Sequence, residues 1–152
     1  MRIKFVQSME LSSECSVVPV QKSLKIMGSS KNHINSLGKY FKNASKAAFF
    51  NGEKNTHFSI YALEGANINH LFAFGVGDLS DFDAELFGAN ICKKLMMKEK
   101  SVTLHLDGLG LSPDSIARVV VGMRLASYKF DKYKTKLADN TKIKLNAITI
   151  AC

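Results

Sequence analysis

The chain has 152 residues, of which 46% are hydrophobic and 22% charged, with ten Gly and two Pro. This length is enough for one domain that buries roughly 70% of its unfolded surface, and the composition excludes collagen, a disulfide scaffold and a low-complexity disordered chain. No apolar run approaches the roughly 18 residues of a membrane-spanning helix, and the N-terminus lacks the apolar region of a secretory signal. We therefore expect one cytoplasmic domain over residues 1–152 with no membrane partner.

The net charge is +8, from 21 Lys and Arg against 13 Asp and Glu. An excess of basic over acidic residues favours contact with a polyanion such as DNA through its phosphates. Only three of the basic residues are Arg, which is the residue that makes bidentate phosphate and guanine contacts. The charge is therefore equally compatible with a solvated, lysine-rich surface.

The cysteines and histidines form no local metal motif. Cys15, Cys92 and Cys152 are an odd number of widely spaced thiols, which is typical of a reducing compartment. The four His residues form no HExxH motif and no pair with a Cys. No zinc site built by sequence neighbours is expected.

The first third of the chain predicts two strands and a helix. Residues 2–7 and 16–20 have the apolar patterns of strands, and Pro19 favours an edge or the end of a strand. A helical period of three and four then follows, carried by Ile34, Leu37, Phe41, Ala44 and Ala48. Lys39, Lys42 and Lys46 share another face of that helix, which is either a solvated face or a phosphate-binding ridge.

A β-hairpin is predicted over residues 48–63. Asn51-Gly52 tolerates the positive φ angles of a tight turn, and residues 57–61 alternate as a returning strand does.

The second half alternates strands and helices. Strands are predicted at residues 71–74, 102–106 and 142–150. A helix begins at Asp81, with Phe82, Leu86, Ala89, Cys92 and Met96 as its apolar face. A second helix begins after Ser112, a good N-cap, and ends near Ser127. This order predicts an α/β fold with a mixed, mostly parallel sheet flanked by helices.

Two glycine-containing segments lie where α/β folds bind phosphates, at Gly75-Val-Gly77 and Gly108-Leu-Gly110. Neither completes a dinucleotide-binding motif, and Asp78, Asp81, Asp83 and Glu85 follow the first. These carboxylates favour helix capping, with metal binding or acid–base catalysis as the alternative.

The second helix ends in alternating aromatic and basic residues. Tyr128 and Phe130 either anchor the helix end in the core or belong to a surface that stacks on bases.

The segment GMRLASYKFDKYKT, residues 122–135, resembles the end of a helix in the N-terminal domain of the cytosol (leucyl) aminopeptidase family. The signature residues are Tyr128, Phe130, Asp131, Tyr133 and Lys134. Residues 48–53, 72–77 and 107–118 resemble further parts of that domain in the same order. The resemblance covers essentially the whole chain.

The resemblance implies a macro-domain-like fold and the non-catalytic domain of a hexameric metallopeptidase. The family's C-terminal domain holds two divalent metals, Mn or Zn, bound by Asp, Glu and Lys, beside a catalytic Lys and Arg. No catalytic or metal-binding residue can be transferred to this chain, so no cofactor is expected in it. Its implied partners are its own C-terminal catalytic domain, the other subunits and, in some bacterial members, DNA. The competing hypothesis is an independent macro-like module that binds ADP-ribose or nucleic acid.

Overall fold

The computed structural model describes residues 1–7, 14–63, 68–133 and 143–152. Its strands are β1 (Arg2–Val6), β2 (Cys15–Gln21), β3 (His57–Leu63), β4 (Ile68–Gly77), β5 (Ser101–His105) and β6 (Ala147–Ala151). Its helices are α1 (Ser30–Ser36), α2 (Lys39–Ala47), α3 (Ala84–Leu95) and α4 (Pro113–Tyr133). None of the described helices is long and apolar enough to cross a membrane.

The six strands form one sheet in the order β1-β6-β5-β2-β4-β3. Each neighbouring pair is parallel except β3 and β4, which are antiparallel. The α/β fold with a mixed, mostly parallel sheet is therefore confirmed. After β2 the chain forms β3 and β4, which lie on one side of β2 in the sheet. Helix α3 then connects β4 to β5, which pairs with β2 on its other side. The strand order thus reverses between β2 and β5.

Strand β2 lies in the middle of the sheet and separates two apolar cores. Cys15 and Val17 belong to the larger core, which α3 and α4 cover, while Val18 and Val20 belong to a smaller core beside α1 and α2. The expectation that Pro19 marks an edge is wrong, although pairing with β5 already ends at Val17.

The hairpin lies elsewhere than predicted. Residues 48–56 form no strand, and the antiparallel pair is β3 with β4, joined by residues outside the described ranges. Gly52 has a φ of 79°, but a Cβ there would collide with the backbone carbonyl of Gln21. The glycine therefore serves a close approach between two loops, which a local turn motif does not reveal.

The first predicted helix is divided into α1 and α2. Gly38, at φ 58° and ψ −129°, interrupts it. Ile34 and Phe41 are buried as predicted, but Ala48 is exposed. Ser45 is buried instead, where its hydroxyl donates to the carbonyl of Lys42 at 2.8 Å.

The apolar face of α3 was predicted only in part. Cys92 and Met96 are buried, but Leu86 is 44% exposed. The buried side of α3 instead contains Phe87, Ile91 and Leu95, which are spaced by four residues. The predicted face and the observed face both fit a helical period. Which face is buried depends on how α3 packs against the sheet and α4, which the sequence of the helix does not specify.

The last helix and the last strand differ from their predicted bounds. Ser112 caps α4 as expected, because its Oγ accepts from the backbone nitrogen of Ser115 at 3.1 Å. The helix continues to Tyr133, beyond the predicted end at Ser127. Strand β6 begins only at Ala147, and residues 143–146 precede it without strand pairing.

Two glycines let α3 and α4 pack with their backbones in contact. A Cβ at Gly88 would collide with the carbonyl of Val119, and one at Gly122 would collide with the carbonyl of Glu85. Backbone atoms cannot move aside as a flexible side chain can. The packing of this helix pair therefore depends on glycine at both positions.

We expect Gly122→Ala to lower the free energy of unfolding by up to about 2 kcal/mol, since overpacking costs about 1–3 kcal/mol against a gain of about 1 kcal/mol in helix propensity, and the Cβ meets backbone that cannot move aside. Urea unfolding followed by circular dichroism measures the change. The matched control is Val121→Ala at the neighbouring, partly exposed position, where a change within about 0.5 kcal/mol is expected. A Gly122→Ala variant at least as stable as the original chain would contradict the prediction.

Candidate functional site

The reversal of strand order between β2 and β5 is where an open α/β sheet forms a ligand crevice. Here two loops of the chain meet at that point. A Cβ at Gly28 would lie 2.6 Å from the backbone nitrogen of Gly108, and one at Gly108 would collide with the backbone of Met27. The loop after β2 and the loop after β5 are therefore in direct backbone contact.

Asp107 links the same two loops. Its carboxylate accepts from the backbone nitrogen of Ser29 at 2.7 Å and from the Ser29 hydroxyl at 3.1 Å. The Asp107 carboxylate thus accepts from hydrogen-bond donors at the start of α1, which is the kind of position where helices bind a phosphate. Gly108 in the second glycine-containing segment serves this loop contact.

The first glycine-containing segment is not a turn. Gly75 and Gly77 lie within β4. A Cβ at Gly75 would collide with the carbonyl of Glu53. Gly75 therefore admits a neighbouring loop within the strand and does not form a strand-to-helix turn.

The acidic cluster after β4 is accounted for by local structure. Asp83 caps α3 by accepting from the backbone nitrogen of Leu86 at 3.0 Å. Asp81 pairs with Lys54 at 3.1 Å. Hydrogen bonds from the hydroxyl and backbone of Ser80 lower the pKa of Asp78. Capping at Asp83 is therefore confirmed.

Lys39, Lys42 and Lys46 are all exposed on the outer side of α2, opposite the buried Phe41 and Ser45. Lys42 also borders a groove of about 500 Å³, together with Lys25 and Lys31. The predicted basic face therefore exists, and it continues into a groove that sequence spacing did not indicate.

The aromatic–basic segment is helical. Tyr128 is 64% exposed, so the expectation that it anchors the helix in the core is wrong. Phe130, Asp131 and Tyr133 lie on the last turns of α4. Lys134 lies outside the described residues.

A polar cluster that the sequence did not predict lies at the other end of the central strands, near the N-termini of β2 and β4. Cys15 begins β2 and is the register partner of His70 in β4. The Cys15 Sγ lies 3.5 Å from the His70 Nδ1, and that nitrogen lies 2.6 Å from the Glu99 Oε1. The other ring nitrogen, Nε2, lies 2.8 Å from the Ser59 Oγ. Cys15 and His70 are buried, while the Glu99 side chain is 19% exposed.

The cluster does not have the arrangement of a cysteine nucleophile. Burial, Glu99 and Glu14 together raise the pKa of the Cys15 thiol far above its ordinary value. The thiol and the Glu99 carboxylate also face the same nitrogen of His70, whereas a catalytic triad uses the two ring nitrogens separately. The chemistry that fits three converging donor atoms is the binding of a cation.

Comparison with known proteins identifies relatives along most of the chain. The model of the cytosol aminopeptidase family, N-terminal domain, matches residues 17–137. A probable cytosol aminopeptidase of Afipia carboxidovorans is 32% identical over 140 residues, which cover 89% of this chain and 28% of that protein. One from Rhodopseudomonas palustris (strain BisA53) is 35% identical over 104 residues, or 65% of this chain and 21% of the relative. The chain thus spans about a quarter of the length of these curated relatives.

Solved structures share the fold. A mutant of tomato leucine aminopeptidase superposes with a TM-score of 0.70 at 13% identity, over 97% of this chain and 32% of that chain. The macrodomain of Mycobacterium tuberculosis DarG superposes with a TM-score of 0.60 at 14% identity, over 98% of this chain and 97% of that chain. The macro-domain-like fold is therefore confirmed.

Proposed function

Since the chain belongs to the cytosol aminopeptidase family and matches the N-terminal domain of that family, we propose that it is the non-catalytic domain of a leucyl aminopeptidase. The parent enzyme removes N-terminal residues, preferably Leu, from peptides in the cytoplasm. The observation that carries this proposal is the family match over residues 17–137, in a chain about a quarter as long as its relatives. The proposal places the catalytic residues in a C-terminal domain outside this sequence.

The residues of this chain do not fit the two divalent metals, Mn or Zn, that the family implies. A two-metal site needs several oxygen ligands around both ions. In the described part of the chain, one group of three metal-binding side chains converges, and Glu99 is the single carboxylate in it. We therefore derive no catalytic step from this domain.

A role in assembly of the hexamer has support from one exposed face. Val121, Leu125 and Tyr128 are spaced by four and three residues along α4, and all three are at least 44% exposed. Leu86 of α3 lies across a groove of about 790 Å³ between the two helices. Polar and charged residues also line this groove, among them Asp83, Lys93 and Arg118. Exposed apolar side chains with a polar surround are typical of a protein–protein contact, so we propose that this face meets another part of the parent enzyme.

The chain alone is expected to release no anilide from a Leu-anilide substrate with added Mn²⁺, because the proposal places the residues that activate water in the C-terminal domain. A chromogenic assay measures the rate against a buffer blank, with a full-length family member as the positive control. Metal-dependent turnover that rises in proportion to the concentration of the 152-residue chain would overturn the proposal.

The macro-like alternative has two candidate ligands, ADP-ribose and nucleic acid. The contact between the loop after β2 and the loop after β5 is an argument against ADP-ribose. Gly28 and Gly108 meet where the pyrophosphate of such a ligand would lie, and Asp107 would repel it. We expect calorimetric titration with ADP-ribose to give no heat beyond dilution. A saturable heat at one ligand per chain would instead favour the macro-like module.

Nucleic acid remains a second candidate function because of the exposed face of Lys39, Lys42 and Lys46. If duplex DNA binds there, changing all three to Ala should weaken binding. It should also reduce the slope of log Kobs against log salt by up to about 2.7, or about 0.9 for each lost phosphate contact. Fluorescence anisotropy at several salt concentrations measures both quantities.

The matched control changes the exposed Lys93, Lys94 and Lys98 to Ala, which removes the same charge near the end of α3. A smaller effect in this control would assign the contact to α2. Equal effects in both variants would show a response to net charge alone. The absence of salt-dependent binding by the original chain would remove this candidate.

A further inference from the structure

Three metal-binding donor atoms from distant parts of the chain converge at the N-terminal ends of β2 and β4. The Sγ of Cys15, the Nδ1 of His70 and a carboxylate oxygen of Glu99 all lie within 4.8 Å of one another. Cys15 and His70 are fixed by the pairing of β2 with β4, and Glu99 lies in the connection between α3 and β5. We propose that these three side chains form a binding site for a zinc ion. This inference does not rest on the proposed function.

The hydrogen-bonding pattern allows the Nδ1 of His70 to act as a ligand. Ser59 faces the Nε2 of His70 at 2.8 Å, and its hydroxyl can accept the proton when that nitrogen carries it. In this tautomer the Nδ1 presents a lone pair beside the Cys15 Sγ at 3.5 Å and the Glu99 Oε1 at 2.6 Å. Without an ion the other tautomer satisfies both contacts, since Nδ1 then donates to Glu99 and the Ser59 hydroxyl donates to Nε2.

The donor set selects zinc among the common divalent cations. Thiolate, imidazole and carboxylate are the three zinc ligands of proteins, whereas Mg²⁺ and Ca²⁺ require shells of oxygen. Zn²⁺ balances the charges of one thiolate and one carboxylate. A neutral buried site therefore avoids the cost of burying an uncompensated charge.

The distances are near those of a tetrahedral site. With the usual zinc–ligand bond lengths, sulfur and nitrogen ligands lie about 3.6 Å apart, and nitrogen and oxygen ligands about 3.4 Å apart. The Cys15 Sγ and His70 Nδ1 are already 3.5 Å apart. The Glu99 Oε1 would have to retreat from 2.6 Å by about 0.8 Å. Glu99 can make this movement because it is partly exposed and lies outside regular secondary structure.

The residues around the cluster hold the imidazole in the orientation that a ligand needs. Ser59 contacts the ring nitrogen that faces away from the thiol, which is the usual support of a metal-binding histidine. Tyr61 stacks on the ring with centroids 4.4 Å apart and an angle of 19°. Zinc binding displaces the proton of the Cys15 thiol to solvent and requires the His70 tautomer that carries its proton on Nε2. Water supplies the fourth ligand from the exposed side of Glu99.

Titration with Co²⁺ tests the site, because a cobalt–thiolate bond gives a charge-transfer band in the near ultraviolet. The experiment uses the 152-residue chain with Cys152→Ser, which removes the exposed thiol. We expect one equivalent of Co²⁺ to bind and Zn²⁺ to displace it. Cys15→Ser should abolish the band. Cys92→Ser, at another buried thiol that lies in the larger core with its Sγ 3.9 Å from the Met96 Sδ, should leave it unchanged.

Glu99→Gln keeps the inference testable if Cys15→Ser fails to fold, because Gln retains a hydrogen bond to His70 but loses the charge. We expect at least a tenfold loss of Zn²⁺ affinity in this variant. Zn²⁺ should raise the Tm of the original chain by several degrees and that of the Gln variant by less. The inference is overturned if the Cys152→Ser chain shows no thiolate band, if adding Cys15→Ser to it leaves the band, or if Zn²⁺ raises the Tm of the original chain and of the Gln variant equally.

Discussion

The burial of β2 on both faces is the constraint on which the rest of the fold depends. Cys15 and Val17 enter one core while Val18 and Val20 enter the other, and all four are fully buried. A parallel strand with two apolar faces needs helices over both sides of its sheet. The helices α3 and α4 cover one face and α1 and α2 lie beside the other. The connections that place them reverse the strand order between β2 and β5.

Open α/β sheets bind ligands in a crevice where the strand order reverses. In this chain the loops that follow β2 and β5 are in backbone contact at that point. Gly28 and Gly108 allow the two loops to touch, and Asp107 fastens them through Ser29. A shared fold therefore does not carry a shared ligand. The likeness to a macrodomain describes the arrangement of strands and helices, while the loops at the reversal of strand order have contacts particular to this chain.

The sequence predicted those features that short-range patterns determine. The six observed strands, the cap at Ser112 and the alternation of strands with helices follow from local patterns, whereas the strand predicted before Asn51-Gly52 is absent. The errors occur where a distant segment decides the outcome. Gly52 resembles a turn residue but admits Gln21, and Leu86 fits a helical period but is 44% exposed. The polar cluster could not be predicted because Cys15, His70 and Glu99 come together only through the register of β2 with β4 and the end of α3.

That register is not fixed by apolar burial alone. Side chains alternate along a strand with a period of two, so a slip of β2 by two residues would keep each apolar side chain on its own face. The same slip would part Cys15 from His70, which are partners in the observed register. Since an unsatisfied buried polar group costs about 1–3 kcal/mol, the contact between Cys15 and His70 favours the observed register among several that hydrophobic burial would accept.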